Sequence, residues 1–388
     1  MHRRAVLLLS LASFASAASQ RSIDPLLTSI AQSFGTTAGG AAIASTAFLV
    51  AYGLLQLVHG PMGDRFGKYR LVTIHMAISA AGTFACAWAP TLAALAVARF
   101  VAGMSMGAVI PLSLAWIGDA VPYERRQAVL AQFMIGGLFG FAFGSAASGL
   151  LAEHFGWRWV FGVLGIVNLM ISARLWFELR ANPVNRASQA AQTGTMLEGY
   201  RRALALVARP WVRVMMFTVF LEGVLVFGTF AFVPLDFNRR HGLGIGASGA
   251  MLVLNAIGGL GYALFANRIV PRLGERGLIL AGGLALCTAY VNLAFAPGAA
   301  VAAPWLVVAG AGFYAFHNTL QVNATQMAPE ARGAALSLFA FCLFSGQSLG
   351  VWIGGQVVDQ WGTRPLFFVA SAGIASLAFY FRSRLARK

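Results

Sequence analysis

Apolar runs of roughly 20 residues, separated by short polar turns, recur from one end of this chain to the other. Wound as an α-helix, such a run crosses about 30 Å of hydrocarbon. A backbone inside a bilayer has no water to bond to and must satisfy its own N–H and C=O groups, which a helix does within itself. The pattern predicts an all-α membrane protein with many spans. Composition agrees: 10% of the 388 residues are charged and 59% hydrophobic, at mean hydropathy +0.73. A soluble domain carries about 25% charged residues, so this chain lacks the material for a water-facing surface.

The formal net charge is +16, which taken alone would suit nucleic acid. Placement argues against that. If successive spans alternate in direction, Arg158, Arg239, Arg240 and Arg364 fall on one side, Arg21 and Arg99 lie within spans, and the other bases fall on the opposite side. Such an imbalance is the positive-inside pattern and puts both termini in the cytoplasm, with the lipid bilayer rather than nucleic acid as the partner. Cys86, Cys287 and Cys342 are isolated among apolar neighbours; their spacing suits neither a disulfide framework nor a metal site.

Between the second and third spans lies Gly60-Pro61-Met62-Gly63-Asp64-Arg65-Phe66-Gly67-Lys68-Tyr69-Arg70. Gly60, Gly63 and Gly67 permit close helix approach and a tight reversal. Arg65, Lys68 and Arg70 hold the loop on the cytoplasmic side. Asp64, a carboxylate among bases at a helix end, reads as part of a latch made in one conformation and broken in another, with Asp119 at the end of the fourth span as a further partner. The spacing Gly-x-x-x-Asp-Arg-x-Gly-Lys-x-Arg resembles the loop between helices 2 and 3 of the major facilitator superfamily.

His2-Arg3-Arg4, an apolar run and Ala15-Ser16-Ala17 imitate a cleaved signal peptide, but the apolar character continues to about Ala31, so this stretch is better read as the first span. It carries Arg21 and Asp24 on one face and then Pro25, a kink signal. Two opposite charges inside a membrane require each other or a wet cavity. The fourth span, about 92–118, contains Arg99. The run Leu95-x-x-x-Arg99-x-x-Ala102-Gly103 resembles in part a superfamily motif whose Arg is implicated in proton coupling, with Ala102 where that motif has Gln. In the fifth span, about 128–151, Gly140, Gly144, Ser145, Ser148 and Gly149 follow small-residue spacing that favours tight helix packing. They resemble the superfamily's antiporter motif, with Ser145 and Ser148 replacing its Pro and one Gly. A polar, arginine-bearing stretch at 181–208 reads as a cytoplasmic linker between an amino-terminal half, 1–180, and a carboxyl-terminal half, 209–388.

The two halves repeat. A shift of 207 carries Arg65 and Gly67 onto Arg272 and Gly274; a shift of 206 carries Glu153 onto Asp359, and Gly140, Gly144 and Gly149 onto Gly346, Gly350 and Gly355. Such a period predicts two homologous six-helix bundles, hence twelve transmembrane helices. In the second half Glu222 is the one acid near the centre of a span. Asn255 lies in the eighth span, and His317 and Gln321 share a face of the tenth. A mid-bilayer carboxylate implies function, here proton binding coupled to opening. Together these features resemble a major facilitator protein of the drug:proton antiporter branch. The resemblance implies two bundles related by a pseudo-two-fold axis and alternating access to a midplane site, without enzymatic activity or a cofactor. An ion gradient, most simply protons, would supply the energy for a monomer to move a small molecule. The expected cargo is an amphipathic or hydrophobic compound leaving a bacterial cell across its inner membrane; the alternative is proton-coupled import of a small anionic metabolite, with Arg21 and Arg99 as its charge contacts.

Overall fold

A computed structural model describes residues 3–182, 205–328 and 331–386, which exclude most of the expected linker. Helices account for nearly all of it. The first half consists of α1 (Arg3–Phe34), α2 (Ala38–Ala41, Ile43–Leu54 and Gln56–Phe66), α3 (Lys68–Ala87), α4 (Leu92–Ala120), α5 (Tyr123–Phe155) and α6 (Trp157–Ala181). The second begins with α7 (Pro210–His241) and ends with α10 (Ala299–Gln326), α11 (Arg332–Trp361) and α12 (Thr363–Leu385). Between α7 and α10 runs an apolar stretch of 51 residues, Ile245–Phe295. As one helix it would be about 75 Å long, more than twice the hydrocarbon thickness. At Gly274, φ is 61° and ψ 177°, a reversal open to a residue without Cβ. We divide it there into α8 (245–273) and α9 (275–295), which makes twelve spans among the described residues.

Breaks within spans have local causes. In α1 the helix stops at Arg21, a 3₁₀ turn covers Asp24–Leu26, and Pro25 at its start withholds an N–H. In α7 a π-helical turn, Gly223–Phe227, follows Glu222 directly.

One apolar core is drawn mainly from residues between Ala5 and Leu179 and a second from residues between Leu206 and Phe381. Phe232, Val351 and Val358 of the second half join the first core, and all three lie toward the ends of α7 and α11 that point away from the basic loops. The outer surface is apolar: Val97, Phe177, Leu264 and Val369 are exposed, as lipid contact requires and water contact would penalise. Trp88, Trp159 and Trp361 stand exposed at the end away from the basic loops, at the level where amphipathic rings meet headgroups. The chain is an integral membrane protein.

Candidate functional site

The break in α1 places Arg21 and Asp24 side by side. Arg21 Nη1 donates to Asp24 Oδ2 at 3.2 Å, with the two side chains 1% and 2% exposed. The guanidinium lies 4.3 Å from the ring centre of Phe141 on α5, 5.1 Å from Phe227 and 5.3 Å from Phe230 on α7. This cation therefore sits where the halves meet, held by rings from both. Beside it, Gln20 Nε2 donates to Gln347 Oε1 on α11 at 3.2 Å.

Glu222 forms the second buried pair. Its carboxylate is fully buried, and each oxygen lies 3.1 Å from His317 Nδ1 on α10. His317 stacks on Phe313 at 5.0 Å and tilts against Phe339 at 5.7 Å. The adjacent π-turn disturbs the regular carbonyl ladder of α7, and Tyr290 Oη of α9 donates to Val226 O at 3.0 Å. Phe313 meets Phe227 edge-on at 5.0 Å. A row of rings, Phe227, Phe313 and His317, thus joins the α1 charge pair to the α7 carboxylate.

Other expected site residues fall elsewhere. Arg99 is buried, but Nη1 donates to Ser19 O at 3.0 Å and Nε to Ala44 O at 3.4 Å. Phe48 and Phe161 cover it. All these partners belong to the first half, so Arg99 braces α1, α2 and α4. Asn255 is buried on α8, where its backbone passes Gly310 of α10 closely enough that a Cβ there would overlap its carbonyl. Gln321, expected to share a face with His317, is exposed.

In the 60–70 loop, Gly67 turns the chain at φ 87°, and Lys68 Nζ pairs with Asp119 at the end of α4. Arg65 and Arg70 are exposed. The Asp64 side chain lies outside what the structure describes, and Gly60 falls inside the helical segment Gln56–Phe66. The Lys68–Asp119 pair joins α3 to α4 within one half.

The halves also pack between α2 and α11, with the rings of Tyr52 and Phe344 4.4 Å apart, and carboxylate hydrogen bonds between them lie at the opposite end. Asp359 Oδ1 on α11 accepts from Gly39 N at 2.9 Å, and its Oδ2 accepts from Thr37 Oγ1 at 2.6 Å. Glu153 Oε2 on α5 accepts from Gly246 N at 2.9 Å. Each carboxylate sits at the first turn of a helix in the other half, α2 or α8, where free N–H groups and the helix dipole favour an anion. Thr28 Oγ1 reaches Asn238 Oδ1 at 3.5 Å. In the sequence Glu153 and Asp359 stand only as repeat markers. Their shared register with Gly149 and Gly355 is the signal that both do the same thing, since a Cβ added at Gly149 would run into the backbone of Ile245 and Gly246, and one at Gly355 into that of Gly39. Nothing in the sequence marks His59 and His75, buried on α2 and α3 with rings 4.8 Å apart, as neighbours. Among the described residues no group of three or more His, Cys, Asp or Glu could hold a metal ion.

Relatives and solved structures agree with this architecture. An uncharacterized MFS-type transporter of Bacillus subtilis, YceJ, is 25% identical over 368 residues, covering 92% of this chain and 89% of its own. A second from the same organism, YybF, is 22% identical, covering 86% of this chain and 81% of its own. Among solved structures, a D-xylose-proton symporter superposes with TM-score 0.79 at 15% identity, covering 97% of this chain and 96% of that one. The nucleoside transporter NupG gives TM-score 0.77 at 18% identity, covering 97% of this chain and 98% of that one. At such identities the structures speak for the fold. The sequence model of the Major Facilitator Superfamily matches residues 9–351, and the chain belongs to that family of membrane transporters.

Proposed function

We propose that the protein is a proton-coupled exporter, an antiporter that moves a small amphipathic or hydrophobic compound out of a bacterial cell by alternating access. It works as a monomer in the inner membrane with both termini cytoplasmic. The observation that carries the proton role is the Glu222–His317 pair: a fully buried carboxylate on an imidazole, beside a π-turn and at the end of a ring row leading to the charge pair on α1. Separating the two would strand a buried carboxylate, which ties proton uptake at this site to opening. Contacts between the halves at the Asp359 end support reading this conformer as closed outside. In the converse conformer the 60–70 loop, with Asp64, would latch the cytoplasmic end. Symport of a small anionic metabolite is the alternative direction of coupling.

The test is Glu222→Gln, which mimics the protonated form. In everted vesicles the wild type should lose part of its pH gradient when substrate is added. The variant should lose this response at least about tenfold, yet still exchange labelled for unlabelled substrate. Uphill transport at the wild-type rate with Gln at 222 would remove the proton role. A gradient that substrate leaves untouched in the wild type would remove antiport.

A further inference from the structure

We propose that the site between the halves takes an organic anion, its acidic group held by Arg21 and its apolar body lying against Phe141, Phe227 and Phe230. The proposal rests on the reading that cargo passes between the two halves, and it names the cargo's chemistry. Arg21 is 1% exposed and uses Nη1 on Asp24. Nε and Nη2 are buried and make no hydrogen bond among the described residues. These two nitrogens share one edge of the planar guanidinium, and their parallel N–H bonds form the fork that a carboxylate, sulfonate or phosphate accepts in two places. The guanidinium therefore keeps two donors open. Asp24 Oδ2 accepts from Arg21, so a cationic cargo would have to compete with the guanidinium for that carboxylate and would be repelled by it.

The rings define the rest of the ligand. Phe141 lies nearly parallel to Phe230, 6.2 Å apart and 20° between planes, and edge-on to Phe227 at 6.4 Å and 78°. With three ring centres 4.3–5.3 Å from the guanidinium carbon, the surroundings of this charge are apolar, which suits a compact hydrophobic acid better than a polyhydroxylated one. Because Phe141 stands on α5 and the other two on α7, a ligand here touches both halves and binds differently in conformers that separate them. Arg99 offers no such edge: its Nε and Nη1 are taken by carbonyls of the first half.

The experiment uses the purified full-length protein in detergent and three probes of one shape: 2-naphthoate, 2-naphthylmethanol and 2-naphthylmethylammonium. Ligand-induced shift of the thermal unfolding midpoint is titrated for each. The expected result is an apparent Kd for naphthoate about tenfold or more below that of either isostere, the scale of a charge-assisted fork. Arg21→Gln should erase the preference, and Arg21→Lys, which keeps the charge without the fork, should restore little of it. Phe141→Ala should weaken all three probes. The comparison on the unaltered chain decides the matter even if an Arg21 variant fails to fold. Tighter or equal binding of the alcohol or the ammonium overturns the proposal, as does the lack of any naphthoate response. A folded Arg21→Gln variant that keeps the preference does so too. Glu222→Gln should retain the naphthoate preference, so loss of the proton role and loss of the anion site are seen separately.

Discussion

Arg21 and Arg99 are both buried guanidiniums within the first half, and their surroundings give them different roles. Arg99 donates to Ser19 O and Ala44 O and lies 4.1 Å above Phe48, which ties three helices together. Arg99→Met removes those bonds while keeping much of the volume, and should cost about 1–3 kcal/mol. The fall would appear in the thermal midpoint of the purified protein, with ligand response retained. A variant as stable as wild type would show that the brace is dispensable. Removing the head group of Arg21 instead strands Asp24 as an uncompensated buried charge, while its ring contacts to α7 connect it to the second half. Sequence spacing showed that Arg21 and Asp24 share a face and that Glu222 is mid-span. It could not show His317 opposite Glu222, because α7 and α10 meet only through packing.

Close packing of α5 on α1 and of α11 on α7 follows one pattern. A Cβ at Gly140 would overlap Phe14 O, and one at Gly144 would come 2.6 Å from Ala18 Cα. In the second half, Cβ atoms at Gly346 and Gly350 would overlap Phe220 O and Val224 O. Backbone cannot swing aside as a long side chain can, so Gly140→Val and Gly346→Val should each cost about 2–4 kcal/mol. Gly162 and Gly261 have nothing within 4 Å of an added Cβ, and Val there should be nearly neutral. Thermal unfolding of the four variants in detergent checks this; equal midpoints for the packed and open positions would contradict it. The glycine register was readable in the sequence, since it is a spacing within one helix. The partners α1 and α7 came from the fold.

Across the whole molecule, Glu153 and Asp359 occupy repeat-equivalent positions and grip α8 and α2 of the opposite half. An anion at a helix start is worth about 0.3–1 kcal/mol on the surface and up to roughly 2 when partly buried. Losing both should therefore move the balance several-fold toward the conformer open at that end. The double variant Glu153→Ala/Asp359→Ala should raise the labelling rate of a cysteine introduced at Thr28 by about five- to tenfold with a membrane-impermeant maleimide. An unchanged rate would show that other contacts hold this end closed. Removal of Lys68–Asp119, which lies within one half, should leave labelling at Thr28 within about twofold of wild type by this contact alone.

Span length, charge asymmetry and a period near 206 residues made the membrane class and the repeated bundle legible in the sequence, because each follows from bilayer thickness or from chemistry along the chain. Twelve spans could be counted that way, and Gly274 supplies the turn that separates α8 from α9. Tertiary structure alone decided which buried charges meet. It paired Glu222 with His317, turned Arg99 to backbone carbonyls, left Gln321 exposed and set Asp359 on Gly39. Those choices depend on helix rotation and on which faces abut. A helix repeats every 3.6 residues whichever neighbour it meets, so the sequence marks a face without naming what that face will touch.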